Sequence, residues 1–511
     1  MKRLGIKTLS AVLLMVLSGA SDLDAAWKDS IDWTLLKNEL GSAMPDGTNI
    51  PVTQVESLDP ATFNYFPDTN DVAFAGKIIH DATGIQTGSS YHATAVGKYF
   101  YGTSDSAAPG IGYVDSYYAG DWMGSGFLTG GSDGAPRVES NRVQNHSWIG
   151  FSESSDLIRR LDYAIDRDGF TCVVGVHYVD SPLPQLLSYS YNAIAVGKSS
   201  GGQSTGFTTN DVAGRIKPDI VATNTYTSYT TPMVGGCAVL LMDTADEFGW
   251  TNGSRPQTIK ALLMAGATKT EFGTNWDRTA WRPLDERFGA GELNIYNSWK
   301  ILTNGEQNAS ATSVVKHIGW DYNEPAAAET NWYYFDMPTN HAPSRFSTIL
   351  TWHRKITDGN PGPTFSPNAF VANLDLFLYQ AAEFTPTNLL DHSTSQVDNV
   401  EHVFQTNLPC GRYALKVTSD SDAKYALAWY KAPAAIPVFN EVSYLSSTGF
   451  VLKVGTSPNV LYGIQATTNL LDADSWTNIG SATPATSLWI FVDAKATNYS
   501  CRFYKAFVDP E

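Results

Sequence analysis

Cysteine is scarce, with four residues in a chain of 511. Cys172, Cys237, Cys410 and Cys501 stand far apart, so neither a zinc ligand set nor a dense disulfide framework is written in their spacing. They read as small buried hydrophobes, with a Cys172–Cys237 bridge as the alternative. Cations are also few. Lys and Arg number 34 against 51 Asp and Glu, a net charge of −17, and so acidic a surface repels phosphate backbones and anionic lipid. Nucleic acid is therefore not an expected partner. Past the N-terminus, no stretch reaches the roughly 18 uninterrupted apolar residues of a membrane span. Acidic spots such as Asp68-Thr69-Asn70-Asp71 and Asp420-Ser421-Asp422 lack the spacing of a calcium loop and read as solvated turns. No metal or other cofactor is expected.

What is present describes a globular protein: 43% hydrophobic residues, 12% aromatic, 42 Gly, 25 Pro and 14 Trp. The length exceeds what one hydrophobic core supports, which implies two or three domains. Residues 1–20 have the parts of a secretory signal: the basic MKRLGIK, an apolar run around Val12 to Leu17, then Ser18-Gly19-Ala20. Cleavage after Ala20 would remove Lys2, Arg3 and Lys7 and no acid, taking the charge from −17 to −20. A secreted or extracellular product is the expectation.

The texture changes twice along the chain. From 27 to 305, apolar runs alternate with amphipathic stretches in the manner of βαβ units around a mostly parallel sheet. Ser154 or Ser155 caps a predicted helix with Leu157, Ile158, Leu161, Ala164 and Ile165 on one face, Gly169 ends it, and FTCVVGV (170–176) follows as a buried strand. From 306 to 432 the period drops to two, with WYYFD (332–336), STILTW (347–352), LDLFLY (374–379) and RYALKV (412–417) between turn residues, a β-sandwich pattern. KAPAAIP (431–437) reads as a semi-rigid linker. A third, all-β module occupies 433–511. The fold class expected is thus an α/β domain followed by two all-β sandwich modules.

Two stretches carry chemistry. Ser90-Tyr91-His92-Ala93-Thr94-Ala95-Val96-Gly97 places a histidine at a helix start; Thr227-Ser228-Tyr229-Thr230-Thr231-Pro232-Met233-Val234-Gly235-Gly236 places a serine at another. A serine there lies beside unpaired backbone N–H groups and the positive end of the helix dipole, which stabilise an oxyanion forming next to it. Pro232 is expected in the first turn, where a missing N–H costs little.

The order and wording of these stretches resemble the subtilisin-like serine peptidases, as a divergent bacterial member. His92-Ala93-Thr94-Ala95-Val96-Gly97 is similar to the family's H-G-T-x-V-A-G, and Tyr226 to Gly236 to its G-T-S-M-A-T-P-x-V-A-G. Between and beyond them, Ala108-Pro109-Gly110, Asn145-His146-Ser147-Trp148, Lys217-Pro218-Asp219-Ile220-Val221-Ala222 and Gly289-Ala290-Gly291-Glu292-Leu293-Asn294 resemble further landmarks in the family's order.

The resemblance implies an exported serine endopeptidase working through an acyl-enzyme, with Ser228 as nucleophile and His92 as general base on a protein or peptide substrate. The family's D-[ST]-G is absent. Asn49 to Ser57 reads as the corresponding first strand, ending in Glu56, 36 residues before His92; Asp81, 11 residues before it, is the rival carboxylate. Where the family keeps an oxyanion Asn, this chain has His177-Tyr178, and His177 would donate instead. Tyr226 stands in place of the glycine before Thr-Ser. About 30 residues between the signal and the first strand are too few for a folded inhibitory pro-domain. These departures in one site imply the alternative of an impaired pseudo-peptidase that binds peptide. The downstream modules resemble jelly-roll or P-like sandwiches and small Ig-like or fibronectin-like units, which implies stabilisation or attachment to polymer or cell surface.

Overall fold

The computed structural model describes residues 27–508 apart from 151–152, 270–271, 273–274, 339–343, 360–363, 433–437, 446–448, 457–460, 471, 473–474, 485 and 487. The signal-like segment and the greater part of the KAPAAIP run lie outside the described residues.

A strand covered on both faces is apolar or internally bonded at every position, and the first core strand fits that rule. Strand β1 (Val52–Glu56) is buried at all five residues. It pairs in parallel with β3 (Tyr113–Tyr118) on one side and β4 (Val143–His146) on the other. With β2 (Ile78–Asp81), β5 (Thr171–Gly175), β6 (Ile194–Lys198) and β7 (Ile220–Ala222), the seven strands form one parallel sheet in the order β2-β3-β1-β4-β5-β6-β7. The chain leaves β1 toward β2 at one edge, whereas it leaves β4 toward β5 on the opposite side. Between the carboxyl ends of β1 and β4 the connections therefore diverge, and open parallel sheets bind ligands in that crevice.

The longer helices of this half are α1 (Trp33–Leu40), α2 (Tyr91–Tyr101), α3 (Ser155–Asp168), α4 (Thr227–Glu247), α5 (Pro256–Gly266) and α6 (Ile295–Thr303). In α3, Ser154 caps the first turn by accepting from the Leu157 N–H at 3.2 Å, and Gly169 ends the helix at φ 74°. In α4, a Cβ on Gly235 would lie 3.0 Å from Phe100 and 3.3 Å from Val173, so this glycine sets how closely α4 approaches α2 and the sheet. Pro232 is not in the first turn as expected from sequence: it is the sixth residue of α4.

The second half is mostly antiparallel. A five-stranded sheet includes Thr330–Met337, Gly411–Ser419, Leu374–Ala382 and Thr385–Ser393, and a four-stranded one Gly319–Asn323, Tyr425–Ala432, Ser344–Trp352 and Val400–Leu408. Two three-stranded sheets follow between Val438 and Val508. Helix α5 is buried at every residue, as a helix enclosed between layers must be. Its Ile259 and Leu263 belong to the same core cluster as Trp320, Tyr322, Ile349 and Val400 of the following β strands. The last module has a small core of its own around Leu452, Val454 and Ile464.

All four cysteines are free thiols, so no Cys172–Cys237 bridge forms. Cys172 and Cys237 are buried, but Cys410 and Cys501 are exposed, against the reading of all four as interior. Cys410 sits in the turn between Val400–Leu408 and Gly411–Ser419, where a short side chain faces solvent. Among the described residues no helix is long and apolar enough to cross a membrane.

Candidate active site

Glu56 is the last residue of β1, and its side chain is fully buried. A buried carboxylate needs partners for both oxygens. Oε2 meets His92 Nδ1 at 2.8 Å, and Oε1 accepts from Gln54 Nε2 at 3.0 Å. Gln54, two residues earlier on the same strand face, is fixed in turn: its Nε2 donates to Ala93 O at 2.9 Å and its Oε1 accepts from the Tyr101 hydroxyl at 2.6 Å. Strand β1 and helix α2 thus hold one imidazole through a chain of four side chains. Sequence reading missed Gln54 and Tyr101; the i, i+2 spacing on a strand is the signal that places Gln54 beside Glu56.

His92 lies in the first turn of α2, after the cap Ser90, whose Oγ accepts from Ala93 N at 3.1 Å. With Nδ1–H donated to Glu56, the nitrogen left for a reacting partner is Nε2. Burial lowers the imidazole's affinity for a proton; Glu56, by charge and hydrogen bond, and then Asp59 raise it further, and the net shift is upward from 6.5.

Asp81 ends β2 and points elsewhere. It accepts from the Tyr65 hydroxyl and from the N–H groups of Thr83, Gly84 and Gln86. Burial raises its pKa, those hydrogen bonds lower it more, and the net shift is downward. The carboxylate bonded to His92 is Glu56, and the turn after β2 accounts for Asp81.

Ser228 is the second residue of α4, whose cap position is Tyr226. It is half-buried and shares with His92 a cleft of about 340 Å³ lined by Ser57 and Asp59 after β1, by Ser147 and Trp148 after β4, and by Gly175 and His177 after β5. These are the carboxyl ends of neighbouring strands at the sheet's divergence point. Ser228 Oγ donates to Ser147 O at 3.4 Å, and Ser147 Oγ donates back to Ser228 O at 2.9 Å. Among the described residues no hydrogen bond links Ser228 to His92. Such bonds are commonly long or misaligned in ligand-free sites and tighten when substrate enters.

Ser147 also went unrecognised as a site residue. Inside a helix the Ser228 carbonyl would accept the N–H of residue 232, but that residue is proline and has none. Ser147 Oγ supplies the missing donor.

His177 lines the same cleft; its backbone N–H goes to Ser204 Oγ at 2.9 Å and its Nδ1 lies 3.2 Å from Ser181 Oγ. Burial lowers its pKa, which favours the neutral ring. Tyr226 has φ −122°, an ordinary extended value, so no glycine is required there. Its ring packs edge-on against Tyr178 and Tyr229, with centroids 5.3 and 5.7 Å away, and forms an aromatic wall beside the serine. Among the described residues no group of three or more His, Cys, Asp or Glu side chains is placed to hold a metal ion.

No known family model matches this chain, and no curated protein does. Solved structures do. A mutant of the protease domain of PatA is similar at 17% identity and a TM-score of 0.35, over 52% of this chain and 99% of that one. The prenylagaramide maturation protease PagA is similar at 17% identity and 0.35, over 52% and 97%. A cold adapted subtilisin-like serine proteinase is similar at 17% identity and 0.31, over 49% and 88%. In each case the likeness is to a protease, and it takes in about half of this chain.

Proposed function

We propose that the protein is an exported serine endopeptidase that cleaves peptide bonds with Ser228, His92 and Glu56. The observation that carries this reading is the 2.8 Å contact between His92 Nδ1 and the buried Glu56 carboxylate, at the edge of a cleft that also holds Ser228. Substrate entering the cleft displaces the Ser228 hydroxyl from Ser147 O by one side-chain rotation. The hydroxyl oxygen attacks the peptide carbonyl while Nε2 of His92 takes its proton, and Glu56 stabilises the imidazolium. The oxyanion develops against the N–H groups at the start of α4, with His177, which lines the same cleft, as the side-chain donor. His92 then protonates the leaving amine, and water hydrolyses the acyl-enzyme by the reverse path. The β modules serve stabilisation or attachment to a polymer or cell surface.

A second reading keeps the cleft and drops the cleavage: a protein that binds peptide without cutting it. The Ser228–Ser147 hydroxyl contact favours it, since the hydroxyl is engaged away from the imidazole. Hydrolysis of unfolded casein by the full chain separates the two. The peptidase reading expects wild-type cleavage that Ser228→Ala and His92→Ala each abolish; cleavage equal in all three, or none from wild type across pH 5–10, overturns it.

A further inference from the structure

A second cleft, larger than the one that holds Ser228, lies away from it, at the junction of the α/β sheet with the first sandwich. It measures about 730 Å³, within the size range of small-molecule sites, and opens at the N-terminus of α5. In a chain of net charge −17 this cleft is basic. Arg142, Arg255, Lys355 and Lys424 line it, with His353, against only Asp166 and Asp246.

Two of the cations are matched, Arg142 to Asp246 at 2.9 Å and Lys424 to Glu324 at 2.6 Å, and His353 Nδ1 lies 3.1 Å from Asp166. Arg255 bonds to the neutral Asn252 side chain at 3.0 Å, and its guanidinium lies over the Tyr322 ring at 4.7 Å. Among the described residues, neither Arg255 nor Lys355 has a carboxylate within ion-pair distance.

Two further features point inward. Helix α5 begins here with Pro256 at its first position, no side-chain cap and no acid in its first turn, so its dipole and unpaired N–H groups face the cleft uncompensated. Independently, Gln257 is 6% exposed and lines the cleft, yet its amide makes no hydrogen bond to any described residue. The little of Gln257 that is exposed lies in this lining, so its amide is open to a ligand entering the cleft.

We propose that this cleft binds a small polyvalent oxyanion, a molecule bearing carboxylate or phosphate groups, held by Arg255, Lys355, the start of α5 and the Gln257 amide. The oxyanion supplies the charge that Arg255 and Lys355 lack and the acceptor that Gln257 lacks. Binding here bridges the α/β half, through α5, to the sandwich, through Lys355, and therefore stabilises their junction. The site is separate from the Ser228 cleft, and its test is independent of cleavage.

The test uses the full chain, with citrate and inorganic pyrophosphate titrated by calorimetry and thermal unfolding against sodium chloride of equal ionic strength. Saturable binding and a raised Tm are expected with at least one anion, and the one that binds tells carboxylate from phosphate. Arg255→Gln with Lys355→Gln, both exposed positions that leave the core intact, should weaken binding at least tenfold. Gln257→Ala should also weaken it, and Lys37→Gln on α1 should not. A Tm shift matched by sodium chloride, or affinity unchanged in the double variant, overturns the proposal.

Discussion

Glu56 is buried, and among the described residues only His92 and Gln54 satisfy its oxygens. In Glu56→Gln the amide favours the wrong imidazole tautomer, and kcat is expected to fall by about 10⁴, the size of that change in a related triad. Asp81→Asn should stay within a few-fold of wild type. Steady-state kinetics of the two variants on one peptide substrate decides between the carboxylates, and equal losses would contradict the assignment. The acid limb of kcat/KM follows from the same contacts. A general base works only when neutral, and the His92 pKa is held above 6.5, so activity should rise with pH through a value higher than that. Asp59→Asn removes one charge that raises it, so the limb should move to lower pH; a limb unmoved or shifted upward would count against the geometry. Glu56 was readable in the sequence through the family resemblance, as the carboxylate ending the strand that stands in place of D-[ST]-G, and His92 and Ser228 as helix-start residues. Gln54 and Ser147 were not, because their partners Tyr101, Ala93 and Ser228 come from elements brought close only by packing.

Helix α4 makes its second turn with a proline, and the consequence falls on the serine. The Ser228 carbonyl loses its helical donor and takes the hydroxyl of Ser147, a residue 5% exposed, instead. Ser147→Ala should therefore leave the half-buried Ser228 carbonyl without its protein donor and cost about 1 kcal/mol in denaturant unfolding. In a Pro232→Ala background the restored N–H at 232 closes the helical bond, and the same change should cost clearly less. Additive losses would mean that the proline and the Ser147 hydroxyl are not coupled. The strands and caps of this half were legible from local pattern: Ser154, Gly169 and the run through Val173 fall where their chemistry places them. The depth of Pro232 in α4 was not, since a helix beginning five residues earlier or at the proline has the same apolar pattern.

At the scale of the molecule, the α/β half and the first sandwich share one core across residue 306. Asp162 on α3 bonds Arg354 of the sandwich at 2.8 Å, and all their charged atoms are buried. Trp320, Tyr322, Ile349 and Val400 pack into the cluster of α5. At roughly 1.5–3 kcal/mol for each buried side chain, those four carry roughly 6–12 kcal/mol, comparable to the stability of a whole domain. A chain ended at 305 should therefore be insoluble or unfolded, whereas one ended at 432 should keep a single cooperative transition, as read by circular dichroism. A folded, soluble 27–305 fragment would contradict the shared core. The sandwich pattern was legible from period-two strands; its fusion to the α/β core was not, because α5 is buried on all sides, Gln257, Thr258 and Lys260 included, and its pattern does not announce which layers cover it. For the intact chain, the most direct measurement is the site of fluorophosphonate attachment, mapped by peptide mass spectrometry. The account predicts one adduct, on Ser228, absent in His92→Ala and slowed in Glu56→Gln; no adduct on wild type, or one on another serine, would contradict it.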